Sequence, residues 1–210
     1  MNQLLLFKTL LLAVFLLVNQ SIIHAQSSIG LELGTMVTSF YSSEPLYKDR
    51  RFPSIASIQP AIGGRIGLSF EHSFKDFFAI KTGVFYALKG PYLDPDIRWS
   101  LGYVTVPVLA VFTPVEPLKI GVGIDFGALV TNSFAIVPAH RVTLGLRSEI
   151  IWQMSPVFRL LLHGSLDLTP TTSVNYTDDQ GAVIGTNIYK HFTGGISIAY
   201  TLKRFDKKHS

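Results

Sequence analysis

The sequence predicts an all-β protein: a closed, up-and-down antiparallel transmembrane β-barrel of about eight strands, preceded by a signal peptide. Three observations predict it. The N-terminus has the parts of an export signal, the remainder alternates with period two, and short connections alternate with long ones. The chain has 210 residues, enough for one domain with a full core. Only 15% of them are charged and 48% are hydrophobic, with a mean hydropathy of +0.35. Soluble globular proteins carry roughly 25% charge, so something other than water is expected to cover much of this surface.

Residues Leu4 to Val18 are apolar except for Lys8 and Thr9, and Asn19-Gln20-Ser21 and Ile22-Ile23-His24-Ala25-Gln26 follow. A short leading region, an apolar stretch and a small residue before a plausible cut after Ala25 make this a signal peptide over 1–25. Leu10 to Val18 is too short to span a bilayer, which takes about 20 apolar residues in a helix. The chain has no cysteine, which excludes disulfides, thiol chemistry and lipidation on an N-terminal cysteine. The barrel is expected over 26–203 and a basic tail over 204–210. The net charge is +4, but its basic residues are dispersed apart from Lys203-Arg204-Phe205-Asp206-Lys207-Lys208-His209. Nucleic-acid binding, which calls for a concentrated basic patch, is not expected.

The clearest alternation runs from Pro117 to Val130. Leu118, Ile120, Val122, Ile124, Phe126, Ala128 and Val130 share one face; Lys119, Gly121, Gly123, Asp125 and Gly127 share the other. The same two-residue repeat, which is that of a strand, marks 78–89, 142–153 and 158–169. Weaker patterns at 28–40, 60–73, 100–113 and 189–202 bring the count to eight. Pro107 cannot donate a ladder hydrogen bond, so a bulge or break is expected there. Connections near 75–76, 115–116 and 155–157 are hairpin-sized. Those near 41–59, 90–99, 131–140 and 171–188 are longer. Outer-membrane barrels show this asymmetry, with short turns in the periplasm and longer loops outside.

A soluble lipocalin-like barrel alternates too, and the two differ in which face is wet. Glycines 63, 67, 83, 121, 123, 127, 145 and 195 lie on the polar face. Glycine covers nothing on an exposed strand, whereas in a narrow barrel it makes room for larger neighbours. The polar face is therefore placed inside. Its charges are Glu32, Glu71, Asp125, Glu149 and Asp167 against Arg65, Lys81, Arg147 and Arg159. Unpaired ions in a narrow lumen carry large desolvation penalties, so near balance predicts a salt-bridge network that fills the barrel. On the apolar face, Phe70, Phe78, Trp152, Phe158 and Tyr200 are expected towards the short turns. Tyr86, Tyr103 and Phe192 are expected towards the long loops, giving two interfacial aromatic girdles.

The sequence resembles the outer-membrane β-barrel domain family of Bacteroidota, the porin-family or PorT-like proteins. The resemblance rests on His24-Ala25-Gln26, Ile29-Gly30-Leu31-Glu32-Leu33-Gly34, the run from Ile80 to Gly90, Tyr103-Val104-Thr105-Val106-Pro107-Val108-Leu109, Gly121 to Gly127, and Gly195-Ile196-Ser197-Ile198-Ala199-Tyr200. It covers nearly the whole mature chain. It implies an outer-membrane location, contact with outer-membrane lipid and lipopolysaccharide, insertion by the barrel-assembly machinery, no common catalytic residue and usually no defined ligand; no cofactor is expected. The charged extension after Tyr200 departs from the aromatic ending usual for such barrels.

Candidate chemistry is sparse. His163-x-Ser165-x-Asp167 lies on one strand face and faintly resembles the His-x-Ser motif of lipid A deacylases, but Leu166 stands where that motif has asparagine. Interior polar filling accounts for the set better. The histidines at 72, 140, 163 and 191 lack metal-ligand spacing. Asp94-Pro95-Asp96 and Asp178-Asp179 read as turn chemistry rather than calcium sites. The expected function is a non-enzymatic outer-membrane barrel with a structural or surface-binding role. A narrow channel or carrier for small hydrophobic molecules, a PorT-like secretion-assembly factor and, last, a lipid A-modifying enzyme are the alternatives.

Overall fold

A computed structural model describes residues 26–42, 59–90, 92–94, 97–98, 100–133, 139–177, 180–181 and 183–205. The expected signal segment lies outside them. The strands are β1 (Gln26–Ser42), β2 (Ala61–Lys75), β3 (Phe78–Lys89), β4 (Tyr92–Asp94), β5 (Ile97–Arg98) and β6 (Leu101–Val115). They continue with β7 (Leu118–Asn132), β8 (Val142–Gln153), β9 (Phe158–Asp167), β10 (Thr172–Thr177) and β11 (Val183–Phe205). Eight of them form an antiparallel ring in the order β1-β2-β3-β6-β7-β8-β9-β11, closed by β1 pairing with β11. Closure removes both sheet edges, so every barrel strand has two neighbours to satisfy its backbone.

The faces sort as the alternation predicts. Along β7, Ile120, Val122 and Ile124 point outward and are 41%, 49% and 37% exposed. The intervening Asp125 is buried, as are its lumen neighbours Arg147 and Glu149. This is the reverse of a soluble barrel, whose apolar residues would fill the inside. Isolated exposed aliphatics need no explanation. Here, however, Leu33, Ile66, Val84, Leu146, Leu162 and Ile196 continue the same exposed apolar surface across seven of the eight strands.

Glycine makes the interior possible. A Cβ on Gly67 or Gly83 would stand 2.6 Å from the ring of Phe85, which is completely buried between them. Phe85 in turn carries the Arg65 guanidinium 3.5 Å above its ring centroid. The two glycines thus create the space in which the largest apolar lumen residue supports a central cation.

One expected break is present, and three other details differ from expectation. Pro107 stays within β6 and pairs with Asp125 of β7, and the expected break falls on its other side, where the β3 ladder skips Gly83 and Val84. The Pro107 carbonyl still accepts a hydrogen bond from the Thr82 hydroxyl at 2.8 Å. The connection read as a loop over 171–188 is largely strand: β10 pairs with the first part of β11, extending that hairpin past the end of β9. Small β4 and β5 likewise pair inside the 90–99 connection. At the other end, β11 runs to Phe205, which pairs with Ser27, two residues beyond the expected barrel limit.

Candidate functional site

The lumen is the site, and its charges stack in three layers. In the middle layer, Lys81 from β3 reaches across to Glu32 of β1 at 2.7 Å and Glu149 of β8 at 2.6 Å. Arg147 binds Glu149 at 2.8 Å and approaches Asp125 at 3.5 Å. Arg65 lies 3.5 Å from Glu149 and 3.9 Å from Glu32. Three cations face three carboxylates, and all six are buried. In such a place a lone ion is strongly disfavoured, whereas a closed network compensates each charge.

The layer nearest the long connections centres on Asp167. Its carboxylate accepts from the Thr171 hydroxyl at 3.4 Å, lies 3.3 Å from His191 Nδ1, and has Lys89 at 3.9 Å. Tyr103 sits here with Lys89 5.4 Å from its ring, completely buried beside Leu101. Its expected place in the outer girdle is therefore corrected: Tyr103 points inward. The reason is that Leu101, Tyr103, Leu109 and Val111 occupy the inner face of β6 while Val104, Val108 and Ala110 occupy the outer one. A strand apolar on both faces carries no phase in its sequence.

The layer at the short-turn end holds Glu71, bound by Arg159 at 2.5 Å and Lys119 at 2.6 Å. Lys89, Lys119 and His191 were absent from the sequence-derived network. The two lysines stand at strand ends, where the alternation gives a face but not the reach of a long side chain, and His191 falls in a weakly patterned segment.

His163, Ser165 and Asp167 all face the lumen from β9 but do not act as a set. His163 Nε2 is 3.0 Å from Ser197 Oγ, and Ser165 Oγ is 2.5 Å from Thr193 Oγ1, both across to β11. Asp167 engages the other layer. A histidine-activated serine needs its hydroxyl within hydrogen-bond reach of the imidazole, and Ser165 is bound elsewhere. The His191–Asp167 pair fails a parallel test: Thr171 and Asp167 both contact His191 through Nδ1, so the hydroxyl and the carboxylate do not sit on opposite ring nitrogens as a triad requires. Among the described residues no group of three or more acidic or histidine side chains could hold a metal ion. The side chains of Asp94, Asp96, Asp178 and Asp179 lie outside those described.

The outer wall places Trp152, Phe158 and Tyr200 towards the short turns, with Phe158 and Tyr200 packed at 5.2 Å between centroids. Phe70, His72, Phe74, Phe78 and Phe112 form a continuing chain of ring contacts at that end. Within it His72 is hydrogen-bonded to Ser27 at 2.9 Å. Tyr86 and Phe192 lie on the outer face nearer the long connections.

Comparison with known proteins adds a fold relationship. No protein-family model and no curated protein matches the chain. Among solved structures, Neisserial surface protein A is similar, with a TM-score of 0.53 at 12% identity, covering 84% of this chain and 99% of that one. The attachment invasion locus protein Ail of Yersinia pestis gives 0.46 at 14% identity, over 86% of this chain and 100% of its own. Escherichia coli outer membrane protein W gives 0.39 at 13%, over 86% and 99%. At 12% identity the likeness to Neisserial surface protein A shows the fold alone: a small closed antiparallel barrel.

Proposed function

We propose that this chain is an outer-membrane barrel without catalytic activity, sealed by its own ion network and acting through its ends rather than through a pore. The observation that carries this reading is the inverted arrangement of its faces: an apolar outer wall around a lumen of buried, paired charges. Lipid is the solvent that such a wall fits, because an unsatisfied backbone or an unpaired ion inside a bilayer is costly and both are avoided here. The long connections would then lie outside the cell and the short turns in the periplasm. A selective pore favours one dominant sign of charge and a wider ring of strands, neither of which is present. The separate partners of His163 and Ser165 weigh against a lipid-modifying enzyme.

A periplasm-facing assembly role, which the PorT-like resemblance implies, is the second reading; an open vestibule at the short-turn end favours it. Cell fractionation with planar-bilayer recording tests the first. The protein is expected in outer-membrane fractions, to migrate differently on gels before and after heating, and to show no open-channel current. A soluble periplasmic location, or a stable conductance from the folded protein, would count against it.

A further inference from the structure

The lumen charges balance in two layers and not in the third. The middle layer sets Arg65, Lys81 and Arg147 against Glu32, Asp125 and Glu149, and the upper layer sets Lys89 against Asp167. At the short-turn end, Arg159 and Lys119 share the single carboxylate of Glu71. One positive charge is left over. A polar cavity of about 580 Å³ opens at this point, with Glu71, Arg159 and Lys119 lining its inner end.

The donors at that inner end are only partly used. Arg159 is 3% exposed, and its Nη1 binds Glu71, yet its buried Nε has no hydrogen-bond partner among the described residues. Lys119 is 24% exposed on its side chain and spends one ammonium proton on Glu71, leaving others directed to the open space. Around them stand the hydroxyls of Ser28, Ser73, Thr113 and Thr201. Asp76 and Glu116 also line the cavity but are exposed residues of its rim, and neither forms an ion pair with Arg159 or Lys119.

From the surplus charge, the unpartnered buried guanidinium donor, the partly exposed Lys119 ammonium and the cavity together, we infer that the vestibule binds a carboxylate-ended polar ligand. The carboxylate sits against Lys119 Nζ beside the Arg159 guanidinium, completing the missing member of the third layer. A monoanion fits better than a phosphate dianion, since one charge is in excess and Glu71 stands beside the site. A cavity of this size lies within the range of small-ligand pockets and leaves room for a short peptide chain behind the carboxylate. The chemistry is that of a free carboxyl, supplied either by a small organic acid or by the end of a peptide. The proposal rests on the preceding reading only for the side of the membrane on which the ligand is met.

The test uses the full mature chain refolded in detergent micelles, with the Arg159 Nε–Hε signal followed by nuclear magnetic resonance. Acetate, acetyl-alanyl-alanine and acetyl-alanyl-alanine amide are the probes. The free-acid peptide is expected to shift the Arg159 signal saturably and the amide to leave it unmoved. Tighter binding of the peptide than of acetate identifies a peptide end as the source; equal binding identifies a small acid. Lys119→Gln, at a partly solvated position, is expected to weaken binding about tenfold while the remaining spectrum stays that of the folded barrel. No saturable shift with either acid, an equal response to the amide, or undiminished affinity in folded Lys119→Gln overturns the proposal.

Discussion

Replacing Lys81 by methionine is expected to destabilise the folded barrel by about 3–5 kcal/mol, the cost of removing one partner from a buried ion pair. Lys81 is fully buried and bridges Glu32 and Glu149 at 2.7 and 2.6 Å, so its loss leaves two carboxylates competing for Arg65 and Arg147. Methionine preserves most of the volume, which isolates the charge from the packing. Urea unfolding in detergent or lipid should show a lower midpoint. Adding Glu32→Gln should recover much of the loss, because the middle layer then returns to equal numbers of cations and carboxylates. If Lys81→Met unfolds at the wild-type midpoint, the network does not hold the lumen together. If the second change worsens the first, charge balance is not what matters there.

The second large effect is expected on the outer wall. Val122 projects outward midway along β7, between Ile120 and Ile124. Placing arginine there puts a charge against lipid near the centre of a bilayer, a change worth about 2–4 kcal/mol in transmembrane barrels and much less near the interfaces. Val122→Arg should therefore depress stability in lipid vesicles, while Val142→Arg, at the strand end near the long connections, should cost far less. The contrast carries the prediction. In a water-exposed wall the two substitutions would have similar, small effects.

The strands differ in how plainly their sequence marks the inner face. The β7 face could be read directly, because glycine, lysine and aspartate on one side against aliphatics on the other fix its phase. The same holds for β8 and β9, where Arg147, Glu149, Arg159 and Asp167 mark the inner face. β6 carries no such mark, since both its faces are apolar, so its sequence does not show that Tyr103 points inward. The pairings of the charges were also hidden. Lys81 meets Glu149, three strands away around the ring, and that contact depends on the barrel being narrow enough for side chains to cross it. The extra strand β10 leaves no strand signature in the sequence, because Thr172–Thr177 has polar residues in a turn-rich region and its pairing is supplied by the overlong β11.

The central claim is that the wall of this barrel faces lipid and its lumen is sealed by charge. The absence of cysteine permits a direct measurement: single cysteines introduced at positions 120, 121, 122 and 124, spin-labelled, in protein reconstituted into vesicles. Labels at 120, 122 and 124 should be relaxed strongly by oxygen dissolved in the bilayer and weakly by a water-soluble nickel chelate. The label at 121, where an added Cβ meets nothing closer than 3.5 Å, should be protected from both. High chelate accessibility at 120, 122 and 124, with no period of two, would contradict the account.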